Sequence, residues 1–172
     1  MTERAGYYID RSPLGLLAVA ASERGIVMVR LQTRGDVFLR ELVEKGFTPS
    51  KVGSGPAFEA FNQIVEYLQG VRKHFTVELD LRGTAFQKKI WREVIKIPYG
   101  KLKTYSEVAA AAGYPKAYRA AGNAVGANPA PLIVPCHRVV RSGWIMGGYG
   151  GREDIKEKLL RLEGSYSQLK KK

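Results

Sequence analysis

The sequence predicts a two-domain α/β protein of the α+β type, with a small sheet-and-helix domain at residues 1–82 and a mainly helical domain at residues 83–172. Short apolar or alternating segments separated by turn residues fill the first part of the chain, as is typical of strands. Paired helix-start signals follow Arg82-Gly83. The excess of positive charge also lies in the second part, so composition and pattern divide the chain at the same place.

The first 82 residues are expected to form an antiparallel meander of three strands, followed by two helices and one further strand. Turn residues interrupt the strands, and Pro56 stands at the first-turn position of the clearer helix, which ends at Gly70. Residues 50–55 are expected to form a loop. The strands are residues 7–9, 14–20, 26–31 and 76–81, and the helices are residues 36–45 and 56–70.

Two capping boxes predict helix starts in the second domain. Thr84 is followed three residues later by Gln87, and Thr104 by Glu107, so that Tyr105 is the first residue of its helix. Gly113 ends that helix, and Pro115 opens another that gives out near residue 127. Two short helices joined by a tight turn predict a helix-turn-helix. The alternative is ordinary tight packing of small-sided helices. A last helix, residues 153–163, has one apolar face and ends at Gly164.

The net charge of +12 is concentrated in the second half of the chain. Residues 1–85 hold 11 Lys and Arg against 10 Asp and Glu, whereas residues 86–172 hold 17 against 6. No acidic residue lies between Glu107 and Glu153. A polyanion is therefore the leading partner, although a basic surface that only favours solubility is an open alternative. The terminal lysines, residues 170–172, are expected to be a solvated tail.

Several classes of protein are excluded by composition. No apolar run approaches the roughly 18 residues of a membrane span, and the first residues do not resemble a secretory signal, so an intracellular protein is expected. Cys136 is the only cysteine, which excludes an intrachain disulfide and any multi-cysteine metal site.

The stretch around Cys136 is the strongest candidate for chemistry. The apolar residues 132–134 are expected to form a buried strand that ends at Pro135, and His137 and Arg138 follow the cysteine directly. A thiolate is a strong nucleophile, and a neighbouring imidazole and cation lower a thiol's pKa. We expect Arg138 to supply that cation. The alternative is a cysteine that only fills the core.

Glu163 is the second candidate in this region. A carboxylate in the final turn of a helix opposes the helix dipole, which is mildly unfavourable unless a cation or an imidazole partners it. We therefore expect Glu163 to contact His137, with an ordinary surface glutamate as the alternative.

Residues 84–164 strongly resemble the O6-alkylguanine-DNA alkyltransferases. The Pro-Cys-His-Arg-Val core at residues 135–139 carries the resemblance, with Asn128-Pro129 and the Arg119 helix before it and residues 148–151 and Glu163 after it. The first 80 residues fit the family's smaller, variable domain. The resemblance implies a ribonuclease-H-like N-terminal domain and a winged-helix-like C-terminal domain. It also implies a cytoplasmic DNA-repair protein, associated with the nucleoid or, in a eukaryote, nuclear.

The resemblance implies irreversible, single-turnover transfer of an alkyl group, such as methyl, from O6-alkylguanine, and also from O4-alkylthymine, to Cys136. In this scheme His137 is a base acting through a water molecule, Glu163 orients His137, Tyr105 gives a proton to the guanine, and Asn128 braces the turn. Backbone groups of the turn and of the following loop would hold the base. The implied substrate-binding residues are Val139, Ser142, Tyr149, Gly150 and Gly151.

The implied partner is double-stranded DNA that carries O6-alkylguanine. The target base would be flipped out of the duplex, Arg119 would fill its place, and the second helix of the helix-turn-helix would enter the minor groove. A monomer with no membrane contact is expected. The implied DNA-binding residues are Lys116, Arg119, Ala120, Ala121, Gly122, Asn123 and Arg138.

The sequence departs from the family at three points. Some relatives hold zinc in the first domain through cysteines that this chain lacks, so we expect no metal and no cofactor. Gly150 stands where some relatives have serine. Residues 144–146 match no motif of the family and are candidates for selecting the alkyl group.

Two other functions stay open. A lesion-binding module similar to the alkyltransferase-like proteins would bind damaged DNA without transfer, but those proteins lack the reactive cysteine. A cysteine hydrolase built on Cys136 and His137 is the second, although adjacent residues seldom provide the geometry of a nucleophile and its base.

Overall fold

The structure is a computed structural model that describes residues 2–171. It divides into two compact units, one ending at Arg82 and the other beginning at Gly83. The architecture is mixed α+β, with a sheet in the first unit and mainly helices in the second. None of the helices in the described part of the chain is both long enough and apolar enough to cross a bilayer.

The N-terminal unit is built on a four-stranded sheet. The antiparallel meander consists of β1 (Glu3–Ser12), β2 (Gly15–Ser22) and β3 (Gly25–Leu31). The predicted loop at residues 50–55 is partly wrong, because β4 (Phe47–Lys51) pairs in parallel with the outer side of β1. A proline and polar side chains hide this edge strand in the sequence. The strand order is β3-β2-β1-β4.

Helices cover both faces of this sheet. Phe38 and Leu42 of α1 (Gly35–Glu44) pack in a buried cluster with alanines of β1 and β2. Tyr8 points to the opposite face, where its ring meets Phe58 of α2 (Pro56–Leu68) edge-on, with ring centroids 4.9 Å apart. Because successive side chains of β1 point to opposite faces of the sheet, this strand packs against α1 on one face and against α2 on the other. The predicted strand at residues 76–81 is reduced to a single bridge between Leu79 and Ile26.

Three helices pack together at the start of the second unit. Both predicted capping boxes are formed, at Thr84 for α3 (Ala85–Ile95) and at Thr104 for α4 (Tyr105–Ala111). A bend through Gly113, whose φ of 91° suits glycine, leads to α5 (Tyr118–Gly126). This helix begins three residues later than predicted from Pro115, because the intervening residues form a turn in which Ala117 N–H donates to Tyr114 O at 2.9 Å.

Two very short strands and a last helix complete the unit. β5 (Lys103–Thr104) pairs in parallel with β6 (Val139–Val140), so that Thr104 lies opposite Val140. The last helix, α6 (Glu153–Leu162), packs against the turn that carries Cys136. These two contacts place α4, α6 and Cys136 around one region.

Candidate active site

Cys136 is buried at the start of a short 3-10 turn, residues Cys136–Arg138. The buried strand predicted for residues 132–134 is wrong. Leu132 has a φ of 75°, and Val134 N–H donates to Ala130 O at 2.9 Å, so the segment folds back on itself. A run of apolar residues indicates burial without distinguishing a strand from a buried turn.

Asn128 is joined to this turn by two hydrogen bonds. Its Nδ2 donates to Val134 O at 2.8 Å, and its Oδ1 accepts from Ala130 N–H at 2.9 Å. The side chain is buried, so both bonds are shielded from water. They connect the end of α5 with the residues immediately before Cys136.

His137, Arg138 and Glu163 form a buried cluster beside Cys136. His137 Nε2 lies 2.8 Å from Glu163 Oε1, and both side chains are completely buried. The Glu163 carboxylate also accepts from Arg138 Nε and Nη2 and, at 3.2 Å, from Gly100 N–H. The contact predicted between Glu163 and His137 is thus formed, with an arginine as a second partner.

Arg138 is placed for structure rather than for DNA contact. Besides its two-pronged contact with Glu163, its Nη1 donates to Ile97 O at 2.6 Å, and its side chain is only 8% exposed. The structure therefore does not support the predicted contact between Arg138 and DNA. From sequence, an arginine in a basic segment gives no sign that it is buried by a carboxylate that lies 25 residues away.

Burial is the main influence on both Cys136 and His137. It raises the pKa of the Cys136 thiol, against hydrogen bonds with the Asn128 and Tyr149 side chains and the positive charge of Lys156. Burial also lowers the pKa of His137, which the Glu163 carboxylate partly opposes. The imidazole is therefore favoured in its neutral form, which can accept a proton.

Lys156 is a site residue that the sequence analysis missed. It is fully buried in α6, and its Nζ donates to Val139 O at 2.7 Å and to Gly148 O at 3.3 Å. Burial lowers its pKa to about 8. Its ammonium is a positive charge that favours the Cys136 thiolate, whereas the Arg138 guanidinium, which was expected in this role, is paired with the Glu163 carboxylate.

The sequence does contain a signal for Lys156. It precedes Leu159 by three residues and Leu160 by four, so it belongs to the apolar face of the last helix. A lysine within such a face is costly unless carbonyls or an anion receive its charge.

Tyr105 is brought next to the Cys136 turn by the pairing of β5 with β6. Because Thr104 lies opposite Val140, the first residue of α4 stands beside the residues that follow Cys136. Tyr105 is half-buried. Burial is the main cause that raises the pKa of its phenol, and the nearby Cys136 raises it further, whereas the positive charge of Arg141 lowers it. The phenol therefore keeps its proton and can donate it in a hydrogen bond.

The predicted substrate-binding residues lie in different environments. Val139 is fully buried and offers only its backbone, whereas Ser142 is exposed, with its Oγ 3.4 Å from Ser106 Oγ in α4. Tyr149 is half-buried, and its side chain is one of the groups that act to lower the pKa of Cys136. Gly150 and Gly151 are exposed, with φ of 58° and 80°.

Two of the residues 144–146, the candidates for selecting the alkyl group, take part in apolar packing. Trp144 and Met146 pack against a buried apolar cluster with Tyr166 and Leu169. The members of this cluster are Leu102, Val140 and Leu160. The side chains thus anchor the loop that follows β6.

The predicted DNA-binding residues of the helix-turn-helix are mostly exposed. Ala121 is the exception: it is completely buried in the contact of α5 with its neighbours, so its side chain cannot reach DNA. Gly122 is half-buried, with the Tyr105 ring nearby. The exposed members are Lys116, Arg119, Ala120 and Asn123.

The described residues contain no group of three or more His, Cys, Asp or Glu that could hold a metal ion. His74, the other histidine, is exposed in the N-terminal unit. The reactive groups of the site are therefore a thiol, an imidazole, a carboxylate, a phenol and an ammonium.

Two family models match the chain and together span most of it. Residues 4–81 match the ribonuclease-like domain of 6-O-methylguanine DNA methyltransferase. Residues 85–165 match the DNA-binding domain of the same protein. The two matches fall on the two compact units.

Curated relatives similar to the chain share one name. A methylated-DNA–protein-cysteine methyltransferase of Methanosarcina acetivorans is 41% identical over 92% of this chain and 98% of its own length. The constitutive enzyme of Bacillus subtilis is 40% identical, over 91% of this chain and 94% of its own. Among solved structures, Mycobacterium tuberculosis OGT in complex with DNA aligns with a TM-score of 0.78 at 36% identity, over 95% of this chain and 94% of its own.

Proposed function

The chain belongs to the 6-O-methylguanine DNA methyltransferase family, and we propose that it repairs O6-alkylguanine in double-stranded DNA by transferring the alkyl group irreversibly to Cys136. It is a DNA-repair protein, its activity is that of a methylated-DNA–protein-cysteine methyltransferase, and DNA is its partner. We further infer that it acts as a monomer and approaches DNA through the minor groove.

One observation carries the proposal for the site. The single cysteine is buried in a turn whose next residue, His137, is paired with a completely buried glutamate. The neutral imidazole has a lone pair that can accept the thiol proton. Burial opposes this transfer at both groups, whereas the Lys156 ammonium, which lowers the pKa of Cys136, and the Glu163 carboxylate, which raises the pKa of His137, favour it. Because Nε2 already contacts Glu163, we assign the contact with Cys136, through a water molecule, to Nδ1.

The transfer itself is a displacement at the alkyl carbon. The Cys136 thiolate forms the new sulfur–carbon bond as the bond between that carbon and guanine O6 breaks, and the electron pair of the broken bond stays on the base. The product thioether is stable, so each protein molecule reacts once.

Tyr105 stabilises the leaving base. The guanine would leave as an anion unless a donor gives it a proton or a strong hydrogen bond. The Tyr105 phenol stands beside the turn that carries Cys136, and its raised pKa keeps it protonated at neutral pH. Lys156 favours the thiolate and holds the Val139 carbonyl, which faces the base in this proposal.

The base must leave the duplex before this reaction. Arg119 is exposed on the helix-turn-helix, one residue into α5, and we assign it to the vacated place in the stack. Small residues on the same helix permit a close approach to the groove.

Stoichiometry tests the proposal. The protein is mixed with excess duplex that carries one O6-methylguanine labelled in its methyl group, and the label bound to protein is counted. The expected result is one methyl per protein, with no further turnover and none for Cys136→Ser. Binding of the duplex without label transfer would favour a lesion-binding module, and repeated release of product would favour a hydrolase.

A further inference from the structure

A cavity of the C-terminal unit lies beside the loop that follows β6 and is lined by neither Cys136 nor Tyr105. It encloses about 940 Å³ between residues 141–148 and the last residues of the described chain, and we name it the C-terminal cleft. Its polar lining includes Arg141, Lys170 and Lys171, with Glu153 as an acidic member. None of these groups has a role in the transfer reaction described above.

The cleft is a folded feature and not a gap beside a loose tail. Lys170 N–H donates to Trp144 O at 2.9 Å, and Leu169 packs against the apolar cluster that includes Trp144. Arg141 N–H donates to Ile145 O at 2.8 Å, which closes the other wall as a tight hairpin. The terminal lysines were expected to be a solvated tail, but Lys170 is attached to the site loop; Lys172 lies outside the described residues.

The charge of the cleft is available to a ligand. Arg161 also lines it, but its guanidinium contacts Glu157 at 2.8 Å and lies over the Tyr166 ring. Within residues 2–171, Arg141, Lys170 and Lys171 form no ion pair with a carboxylate. Three cations against Glu153 favour an anion, and three separate cations suit several phosphates better than one.

The cleft begins close to the reacting groups. Arg141 directly follows β6, and its positive charge reaches the Tyr105 phenol, where it favours the ionised form. The next residue, Ser142, lies 3.4 Å from Ser106, the neighbour of Tyr105 in α4. A strand that delivers a nucleotide to Cys136 and Tyr105 would therefore carry its adjoining phosphates past Arg141.

From this geometry we propose that the C-terminal cleft binds the sugar–phosphate backbone of the DNA duplex on one side of the lesion, through Arg141, Lys170 and Lys171. The inference rests on the proposed function, because it takes the strand to enter at Cys136. It extends the DNA contact surface from the helix-turn-helix to the end of the chain. In this proposal the C-terminal segment, through Lys170 and Lys171, contributes to DNA binding.

Salt-dependent binding tests this inference. All variants are made with Cys136→Ser, so that no transfer alters the duplex, and the affinity for an O6-methylguanine duplex is measured against salt concentration. Lys170→Gln/Lys171→Gln should weaken binding roughly tenfold and reduce the salt slope by about one per lysine. Lys170→Arg/Lys171→Arg should keep both the affinity and the slope.

A matched control removes the same charge elsewhere. Lys45 and Lys51 are exposed in the N-terminal unit, and Lys45→Gln/Lys51→Gln should leave the slope unchanged. An equal loss in both double variants would mean that only net charge matters and would overturn the inference. An unchanged slope in Lys170→Gln/Lys171→Gln would also overturn it.

The position of the lesion identifies the occupant. Two duplexes are compared, one with the lesion near its 5′ end and one with the lesion near its 3′ end. Lys170→Gln/Lys171→Gln should bind only one of the two more weakly than the parent protein does, namely the duplex whose backbone extends into the cleft. An equal loss on both sides, or saturable binding of a free nucleoside monophosphate that the glutamine variant loses, would contradict a backbone site. A wild-type protein that binds DNA in this manner but transfers no methyl would disprove the proposed function while leaving the cleft's DNA contact in place.

Discussion

His137 Nε2 lies 2.8 Å from Glu163 Oε1, and both side chains are completely buried. The same carboxylate accepts hydrogen bonds from Arg138 Nε and Nη2, so one buried glutamate is the partner of both an imidazole and a guanidinium. Burial of three ionisable groups is costly unless each is satisfied by the others. The cluster therefore links the stability of the C-terminal unit to the orientation of His137.

Arg138 and Glu163 should be strongly coupled in stability. Arg138→Met leaves the Glu163 carboxylate buried without its main cation and should lower the free energy of unfolding by about 3–5 kcal/mol. Arg138→Met/Glu163→Gln removes both charges and should recover most of that loss. Urea unfolding of the single and double variants measures the coupling, and additive effects would contradict the buried pair.

The same double variant tests whether Arg138 contacts DNA. Its guanidinium is occupied by Glu163 and Ile97, so the salt slope of DNA binding should equal that of the unsubstituted protein. A slope lower by about one would show that Arg138 neutralises a phosphate after all.

Protein stability should fall as the pH drops below neutrality because of His137. Burial lowers the pKa of His137 in the folded protein. Below about pH 6.5, His137 therefore binds a proton more readily in the unfolded chain than in the folded one, which favours unfolding. Between about pH 6.5 and 5.5 the free energy of unfolding should therefore decrease, by at most about 1.4 kcal/mol per pH unit for this one group, and urea unfolding can measure the decrease.

The second histidine provides the control for this prediction. His137→Gln should flatten the pH dependence over that interval, whereas His74→Gln, at an exposed site, should leave it intact. An equal pH dependence in His137→Gln and the unsubstituted protein would assign the effect to other groups.

Lys156 should set the pH range of the reaction. Lys156→Met removes the cation that favours the Cys136 thiolate, so transfer near pH 7 should slow, by about tenfold for each unit by which the thiol pKa rises. Because the pKa of Lys156 is about 8, its charge is lost above that pH in the unsubstituted protein. The ratio of the two rates should therefore shrink as the pH rises past 8.

Lys158 offers a matched control on the same helix. It is exposed, and Lys158→Met should keep both the rate and its pH profile. A rate ratio for Lys156→Met that is constant across pH would mean that Lys156 acts through its hydrogen bonds to Val139 and Gly148 and not through its charge.

Arg119 should matter for duplex DNA more than for a free base. Arg119→Ala should slow transfer from an O6-methylguanine duplex by about 10- to 100-fold, because flipping a base costs a few kcal/mol of stacking that the arginine helps to offset. Transfer from free O6-methylguanine base serves as the reference. Arg92→Ala, at an exposed arginine of α3, should leave the ratio of the two rates unchanged, and an unchanged ratio in Arg119→Ala would remove Arg119 from this role.

Local signals predicted the parts of the fold that depend on nearby residues. The capping boxes at Thr84 and Thr104 are formed, and Glu163 meets His137 as the unfavourable helix end suggests. These features need only a few residues or one uncompensated charge to be visible in a sequence.

The features that were not predicted depend on distant partners. Arg138 is buried because Glu163 and Ile97, 25 and 41 residues away, accept its hydrogen bonds. β4 exists because β1 offers it a parallel edge. Lys156 is a mixed case. Its position on the apolar face of the last helix can be recognised in the sequence, but the carbonyls of Val139 and Gly148 that accept its hydrogen bonds cannot.

The location of the transferred methyl group tests the central claim most directly. After reaction with an O6-methylguanine duplex, tandem mass spectrometry of the digested protein should place one methyl on Cys136, and the DNA should contain guanine at the lesion. Cys136→Ser should bind the duplex and leave the lesion intact. Repaired guanine with an unmodified Cys136, or a methyl on any other residue, would contradict the account.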